Sequence, residues 1–443
     1  MSSIADPKVT MPRPLPTSGS FRRAQWRMLL ATMLCYLFYY TGRQTMGFAI
    51  PGMEAELGLQ KDQLGWLGTA LLWMYALGQV INGNLADRLG GRRMMSLGAI
   101  LSCGLNWVVS VGTGFSSLLV PWSLNGYAQA MGWAPGCKLV SNWWSRDERG
   151  RTFGLLVFAA GLASVLSYVT SLLVIDVFQL DWRWIFRLPV LLMLVGGVAY
   201  YLLARDTPGQ LGFEELDDAE AESVSLGSTS LDSMWDRYRV VLSNWRILVT
   251  GLAIGFQNSA RYGLLIWVPV HFLGADYKAG GGRWISIVLP LGMAFGALCS
   301  GWISDRLFGG RRGTVISLFM LAASGAALGM YALPPGSPWG VIALFLCGFF
   351  AYPQAPFFAL APDLLGRRYA ATGVGIINTF AYALAGLAEP FIGWMMERFP
   401  VHRSVTDAAG VTTEVLIDNT AVVFPIVAGL CLASALVAQL IRR

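Results

Sequence analysis

The sequence predicts an all-α membrane protein of twelve transmembrane helices in two related six-helix halves. The chain has 443 residues, of which 55% are hydrophobic and only 13% are charged, and its mean hydropathy is +0.53. A soluble globular protein carries about 25% charged residues, and a helix needs about 20 apolar residues to cross a bilayer. Apolar segments of that length recur along the whole chain. The composition therefore excludes a soluble enzyme, a disordered chain and a collagen-like protein.

Glycine, proline and charged residues separate the apolar segments into predicted membrane spans. In chain order, spans 1 to 12 are 27–50, 63–86, 94–113, 117–142, 152–175, 185–204, 246–273, 284–304, 314–333, 338–361, 370–396 and 420–441. An acidic, serine-rich stretch between spans 6 and 7 is predicted to be a linker. The predicted division is an N-terminal tail (1–26), an N-terminal half (27–204), the linker (205–245) and a C-terminal half (246–443).

The distribution of basic residues predicts the orientation of the spans. With both termini cytoplasmic, twenty-two of the 32 lysine and arginine residues lie in cytoplasmic segments and seven lie on the opposite side. Cytoplasmic loops typically carry such an excess of basic residues. The net charge of +6 therefore indicates topology rather than nucleic-acid binding. Three basic residues remain within the spans: Arg43, Lys138 and Arg261.

A repeat at a constant offset of 218 residues relates the two halves. Identical pairs at this offset are Arg43 and Arg261, Pro51 and Pro269, Asp87 and Asp305, Arg88 and Arg306, Pro135 and Pro353, and Arg149 and Arg367. Several pairs at one offset indicate a duplicated six-helix unit. Parallel repeats of this size resemble the two halves of a major facilitator superfamily transporter.

The loop after span 2, Gly83-x-x-x-Asp87-Arg88-x-Gly-Gly-Arg-Arg, is a signature of that superfamily and recurs after span 8. An aspartate at a helix end can pair with arginines across the cytoplasmic face, which predicts a gate. The alternative is that these arginines only set topology, although topology requires neither the aspartate nor the glycine pair. The predicted gating residues are Asp87, Arg88, Lys138, Arg149, Asp305, Arg306 and Arg367.

Arg43 and Arg261 lie about midway along spans 1 and 7. A central arginine costs about 2.5–3.5 kcal/mol on insertion scales, so it is retained where it faces protein, water or an anionic ligand. Equivalent positions of the two halves face each other across a central cavity. Two guanidinium groups there predict a site for a phosphate or carboxylate, which arginine binds bidentately. The alternative is that each arginine pairs with a buried acid, for which Glu389 and Asp363 are the candidates.

Further cavity residues are predicted from polar or aromatic character and position in spans 1, 2, 4, 7, 10 and 11. They are Tyr36, Tyr40, Tyr75, Tyr127, Trp133, Gln257, Asn258, Tyr262, Tyr352, Gln354, Asn378 and Tyr382. Gln79 and Glu389 complete the set of substrate-binding candidates. Packing is the alternative at each aromatic position, because tyrosine and tryptophan are also ordinary packing and interface residues. The six cysteines show no metal-ligand spacing, and neither a metal nor a cofactor is expected.

Five segments carry a more specific resemblance. They are Tyr39-Tyr40-Thr41-Gly42-Arg43, Gly132-Trp133-Ala134-Pro135-Gly136-Cys137-Lys138, the stretch from Asn142-Trp143-Trp144 to Arg149-Gly150, Arg205-Asp206-Thr207-Pro208, and the stretch from Arg261-Tyr262-Gly263 to Pro269. They resemble the organophosphate:phosphate antiporter family, which includes the bacterial glycerol-3-phosphate and hexose-6-phosphate transporters. The resemblance covers almost the whole chain. It implies a monomer in the bacterial inner membrane that exchanges a small organic phosphate for inorganic phosphate by a rocker-switch mechanism, with Arg43 and Arg261 binding phosphate.

The chain departs from that family at three positions. Gln79 stands where the glycerol-3-phosphate transporter pattern has a lysine, Ala163 lies near a histidine position, and Pro290 replaces a glutamate. Two cationic groups instead of three favour a zwitterionic or unusual organophosphate or phosphonate. Glu389 could then bind an amine or carry a coupling proton, or it could be a partner for a helix-end charge or part of a water-lined polar spot.

Two other functions stay open at this point. One is proton-coupled symport of another organic anion, with Glu389 as the proton carrier. The other is a transporter-like membrane sensor of a phosphorylated metabolite, since the family also resembles a hexose-phosphate receptor. An enzyme is not expected, because the chain has no nucleophile elbow, no phosphate-binding glycine loop before a lysine and no metal-ligand cluster.

Overall fold

The computed structural model describes residues 19–216, 233–273, 285–333, 339–406, 412–417 and 419–441. Over these ranges the chain is a bundle of long helices. In the first part they are α1 (Gly19–Tyr39), α2 (Met46–Leu57), α3 (Lys61–Leu89), α4 (Gly91–Ser110), α5 (Phe115–Trp143), α6 (Arg146–Leu172) and α7 (Pro189–Leu203). In the second part they are α8 (Met234–Ser243), α9 (Trp245–Leu273), α10 (Ile285–Arg306), α11 (Arg312–Ala332), α12 (Trp339–Ala351), α13 (Gln354–Leu365), α14 (Ala370–Arg398) and α15 (Val423–Gln439). Each of the twelve predicted spans coincides with helix, so the predicted all-α architecture is confirmed.

Two of the spans are broken into two helices each. Span 1 consists of α1 and α2, which are separated by a 3-10 turn at Tyr40–Gly42. Span 10 consists of α12 and α13, which are separated at Tyr352 and Pro353. Pro353 has no N–H to donate to a preceding turn. Its repeat partner Pro135 lies inside the continuous helix α5, so proline alone does not determine where a span breaks.

Hydropathy did not predict the two-stranded antiparallel hairpin between spans 11 and 12. Strand β1 (Val401–Thr406) pairs with β2 (Thr412–Ile417), with Val401 opposite Ile417 and Thr406 opposite Thr412. Both strands are rich in valine, threonine and isoleucine, which favour extended backbone. The hairpin is a local addition to a helical protein.

Seven of the described helical segments are long and apolar enough to cross a membrane, and an eighth results if α8 and α9, bent by 77°, count as one span. The more polar spans include α4 and α5. Their amides at Asn106 and Asn125 are fully buried, so the polar groups that lower the hydropathy of these helices face protein. Buried polar groups within a span are characteristic of functional or structural sites in membrane proteins.

The two groups of six spans meet along α3 and α14 and along α6 and α10. Small residues permit this close approach. A side-chain carbon at Gly83 would lie 2.6 Å from the carbonyl oxygen of Ala371, and one at Gly301 would lie 2.1 Å from that of Gly150. Helices in membranes typically pack through such small residues. These two seams bring the faces of the halves together around one central cavity.

Candidate functional site

A small cavity lies between the two groups of spans, with a volume of about 20 Å³. Its lining comes from α1, α3, α5, α6, α9, α13, α14 and both breaks. The lining residues are Tyr36, Tyr40, Tyr75, Trp133, Ala160, Asn258, Arg261, Tyr352, Gln354, Phe358, Asn378 and Tyr382. A volume of this size holds about one water molecule. A substrate must therefore displace side chains to enter.

Arg43 lies directly after the break in span 1 and packs against two rings that line the cavity. Its guanidinium carbon is 4.1 Å from the ring centroid of Tyr40 and 5.1 Å from that of Tyr75. Both distances are within the range of a cation–π contact. The break thus places a guanidinium group against the aromatic wall contributed by the N-terminal spans.

Arg261 lies in the continuous helix α9 and has a similar aromatic environment. Its guanidinium carbon is 5.1 Å from the ring centroid of Tyr262 and 4.9 Å from that of Tyr352. Its Nη1 donates a hydrogen bond to Asn258 Oδ1 at 3.3 Å, and its Nε is buried without a partner. The guanidinium group therefore retains donor capacity for a ligand.

Tyr382 connects the two arginine environments. Its ring centroid lies 4.8 Å from that of Tyr75 and 6.2 Å from that of Tyr262. Tyr382 thus packs against one ring that contacts Arg43 and one ring that contacts Arg261.

The cavity has a positively charged residue and hydrogen-bond donors but no carboxylate among its lining residues. None of its lining residues is acidic, and among the described residues neither Arg43 nor Arg261 forms an ion pair. Trp133 Nε1, a second donor of the lining, is also buried without a partner. Such an arrangement suits an anion with several oxygen atoms.

Asp363 and Glu389 are the two acids that could pair with the central arginines Arg43 and Arg261. Asp363 is 6% exposed and pairs instead with Arg149 and Arg312. Glu389 lies in helix α14, but its side chain is outside the described residues. Pairing of Asp363 with the central arginines is therefore not observed.

Some predicted cavity residues lie elsewhere. Gln79 is fully buried and is absent from the cavity lining. Its Nε2 lies 3.4 Å from the carbonyl oxygen of Ala130 in α5, so its side chain joins α3 to α5. Ala160 and Phe358 line the cavity although sequence reasoning missed them, because nothing distinguishes an apolar cavity residue from a packing residue.

The loops after α3 and α10 lie at one end of the bundle, here termed the motif face (residues 87–93 and 305–312). Asp87 accepts hydrogen bonds from the backbone N–H groups of Ala371 at 3.2 Å and Thr372 at 2.8 Å, which begin α14. It also forms an ion pair of 3.1 Å with Lys138 Nζ. Lys138 donates in turn to the carbonyl oxygen of Arg367. A carboxylate at a helix N-terminus is favourable, so Asp87 binds the C-terminal half at this point.

A second cluster at the motif face has a related arrangement. Asp305 accepts a hydrogen bond of 2.7 Å from the backbone N–H of Arg151 near the start of α6 and pairs with Arg312. Asp363 accepts from Arg149 Nη1 at 3.1 Å and from Arg312 Nε at 3.2 Å. These four charged side chains are largely buried and come from both halves. Together the two clusters join the two halves at the motif face.

The remaining predicted gating residues lie at the edge of these clusters. Arg367 Nε donates to the carbonyl oxygen of Ser141 at 2.8 Å. Arg88 lines a crevice of about 610 Å³ beside the first cluster. Arg306 is exposed at the end of α10 and is in neither cluster.

The segment Arg205–Pro208 ties α7 to its neighbours at the motif face. Asp206 Oδ1 accepts a hydrogen bond of 2.9 Å from the backbone N–H of Arg92 at the start of α4. Asn142 Nδ2 donates to the backbone carbonyl of Asp206 at 2.9 Å. Burial raises the pKa of the Asp206 carboxyl above its usual value, and hydrogen bonds from the backbone of α4 oppose that rise. The segment therefore has a packing role in this structure.

Comparison with known proteins supports the architecture. The chain is 27% identical over 373 residues to a "Probable hexose phosphate transport protein" of Chlamydia pneumoniae, covering 80% of this chain and 82% of the relative. It is 27% identical over 396 residues to the glycerol-3-phosphate transporter of Bacillus subtilis, covering 86% and 88%. It is 26% identical over 390 residues to the membrane sensor protein UhpC of Escherichia coli, covering 85% and 86%.

Among solved structures, the E. coli fucose:proton symporter FucP superposes with a TM-score of 0.69 at 13% identity, covering 94% of this chain and 98% of that chain. At that identity the likeness concerns the fold alone. The family model described as Major Facilitator Superfamily matches residues 32–390, which is most of the chain. On this evidence, the chain belongs to the Major Facilitator Superfamily.

Proposed function

We propose that the protein is a secondary active transporter that exchanges an organic phosphate, or a related phosphorus-containing organic anion, for inorganic phosphate. The observation that carries this proposal is the placement of Arg43 and Arg261, one from each half, around a cavity whose lining contains no acid. A phosphate monoester offers three non-bridging oxygen atoms to two guanidinium forks, and inorganic phosphate offers four. Relatives named as hexose phosphate and glycerol-3-phosphate transporters support the same substrate class.

The proposed cycle follows from the two ends of the molecule. The motif face is cytoplasmic, as the excess of basic residues indicates, and it is closed by the clusters around Asp87 and Asp363. Substrate enters from the opposite side and takes a position near both guanidinium groups. For release, the clusters separate, because their partners come from opposite halves. Alternating exposure of one central site is typical of this architecture.

The proposed binding residues are those that line or adjoin the cavity. They are Arg43, Arg261, Tyr40, Trp133, Asn258, Tyr262, Tyr352, Gln354, Asn378 and Tyr382. The proposal includes the N-terminal tail (1–26), the two halves (27–204 and 246–443), the linker (205–245), both termini on the cytoplasmic side and a monomer in the bacterial inner membrane.

Reconstitution tests the proposal directly. Purified protein is placed in liposomes loaded with labelled phosphate, and phosphate release is measured against a panel of external organophosphates and phosphonates. We expect release that depends on external organophosphate, since exchange requires a ligand on both sides. No release with any member of the panel, together with pH-sensitive uptake of a carboxylate, would contradict the proposal. Binding of an organophosphate without any flux would instead identify a sensor, the function that the similarity to UhpC favours.

The Glu389→Gln variant tests the role of the one acid suggested for the cavity. If Glu389 binds an amine or carries a proton, the variant loses affinity for amine-bearing phosphonates or loses the pH dependence of uptake. Affinity for glycerol-3-phosphate at constant pH is the control. Unchanged affinity for the amine-bearing ligand and an unchanged pH profile would exclude both roles.

A further inference from the structure

Side chains of α4 and α5 bind backbone carbonyl groups at the break in span 1. The carbonyl oxygen of Tyr39 accepts a hydrogen bond of 3.0 Å from Gln129 Nε2. The carbonyl oxygen of Gly42 accepts one of 2.7 Å from Asn125 Nδ2 and one of 3.1 Å from Asn106 Nδ2. Within a membrane, a broken helix is tolerated where neighbouring groups satisfy its freed backbone in this way.

These side chains form one connected unit with Ser102, here termed the amide cluster (Ser102, Asn106, Asn125 and Gln129). Gln129 Nε2 donates to Ser102 Oγ at 2.8 Å, and Ser102 Oγ donates to Asn125 Oδ1 at 2.5 Å. All four residues are at most 1% exposed, and none lines the cavity. The amide N–H groups of Gln129, Asn125 and Asn106 all donate to carbonyl groups of the break. The cluster therefore holds one arrangement of the break.

Gly42 fits this arrangement for a steric reason. A side-chain carbon there would lie 2.8 Å from Gln129 Nε2 and 3.0 Å from Ser102 Oγ. Both distances are too short for an unstrained contact, so a larger residue would push the break away from the amide cluster. Arg43 follows Gly42 directly, and its backbone N–H bonds to the carbonyl oxygen of Tyr40 at 3.1 Å. The position of its side chain therefore depends on the break.

In the C-terminal half, the break does not lie next to the central arginine. Arg261 lies in the continuous helix α9, and the broken span is span 10. There the carbonyl oxygen of Ala351 accepts a hydrogen bond of 2.8 Å from Gln257 Nε2. The break therefore adjoins the candidate phosphate-binding arginine in one half only. This asymmetry gives Arg43, and not Arg261, a dependence on side chains of α4 and α5.

We propose that the amide cluster positions Arg43 for the substrate by holding the carbonyl groups of Tyr39 and Gly42. Its members are positioning residues, because they act through the backbone of the break and do not reach the cavity. This inference rests on the proposed function, since it assigns the affinity of the phosphate site to residues behind it. Loss of the cluster raises the KM for phosphate and for organophosphate alike, because both use the same guanidinium group.

Near-isosteric variants Asn125→Leu and Gln129→Met test the inference. Each removes the donors without changing the side-chain volume greatly. We expect the KM for phosphate exchange to rise about tenfold, while the maximal rate per folded transporter changes less than about twofold. Asn82→Leu is the matched control: Asn82 is equally buried and donates to the carbonyl oxygen of Tyr127 at 3.2 Å, away from the break. Its KM should stay that of the wild type.

Gly42→Ala alters the break rather than the amide cluster, and it is the second variant if the amide variants do not fold. It leaves every amide in place, and we expect the same rise in KM. Hydrogen–deuterium exchange of residues 38–46 without substrate should increase in these variants and not in Asn82→Leu. A rise in deuterium exchange with an unchanged KM for phosphate, or an equal rise in that KM for Asn82→Leu, would overturn the positioning role. If the wild type exchanges no phosphate, the proposed function fails, whereas the deuterium measurement still reports whether the cluster holds the break.

Discussion

Replacing Arg43 or Arg261 by lysine should raise the KM for phosphate by roughly 10- to 150-fold although the charge is retained. A lysine offers a point charge where a planar fork binds two oxygen atoms, and a lost hydrogen bond to a charged group costs about 1.5–3 kcal/mol. Lysine also loses the stacking of the guanidinium plane on Tyr40 or Tyr352. Counterflow of labelled phosphate in proteoliposomes measures the effect.

Arg306→Lys is the matched control for these variants. Arg306 lies at the motif face, is exposed and belongs to neither charge cluster. We expect its KM to be that of the wild type. Near-normal exchange in both Arg43→Lys and Arg261→Lys would be incompatible with a bidentate phosphate site formed by the two residues.

Asp363→Asn should open the motif face. Asp363 is the acceptor shared by Arg149 and Arg312, both at most 2% exposed. Arg312 keeps its ion pair with Asp305, but Arg149 loses its ion pair with Asp363, and removing one partner of a buried ion pair costs about 3–5 kcal/mol. Arg149 belongs to the N-terminal half and Asp363 to the C-terminal half, so this cost falls on the closed conformation. The closed conformation should lose a factor of roughly 150 to 5,000 against the open one.

A cysteine placed at Ser141, which is fully buried beside Arg367, reports the opening. In a cysteine-depleted background, a membrane-impermeant maleimide added from the cytoplasmic side should label Ser141→Cys rapidly when combined with Asp363→Asn, and slowly without it. Glu148→Gln removes the ion pair of 2.8 Å with Arg22 and is the control. That pair is exposed and contributes little. Slow labelling in both combinations would exclude a closing role for Asp363.

Sequence reasoning found the arginine pair because a repeat is visible as an offset in the numbering. It also named all five tyrosines that line the cavity, from their polar aromatic character and their position in the spans. The failures have physical reasons. Gln79 does not line the cavity, because its side chain bonds to α5 instead. Whether a polar side chain of a helix faces a cavity or another helix depends on how the neighbouring helices pack. The breaks at Gly42 and Tyr352 depend on which amides are available to bind the freed carbonyl groups.

The sequence by itself determined the class of protein, the number of spans, the repeat and the two central arginines. These follow from composition and periodicity, because each span must be apolar over about 20 residues whatever its neighbours are. Only the tertiary structure decided which acids pair with which bases. Asp363 is separated from Arg149 by 214 positions in the chain yet lies within 3.1 Å of it, and no local pattern encodes a contact of that kind. The same holds for Gln129 at the break: its role exists only because packing places an amide beside a carbonyl group on another helix.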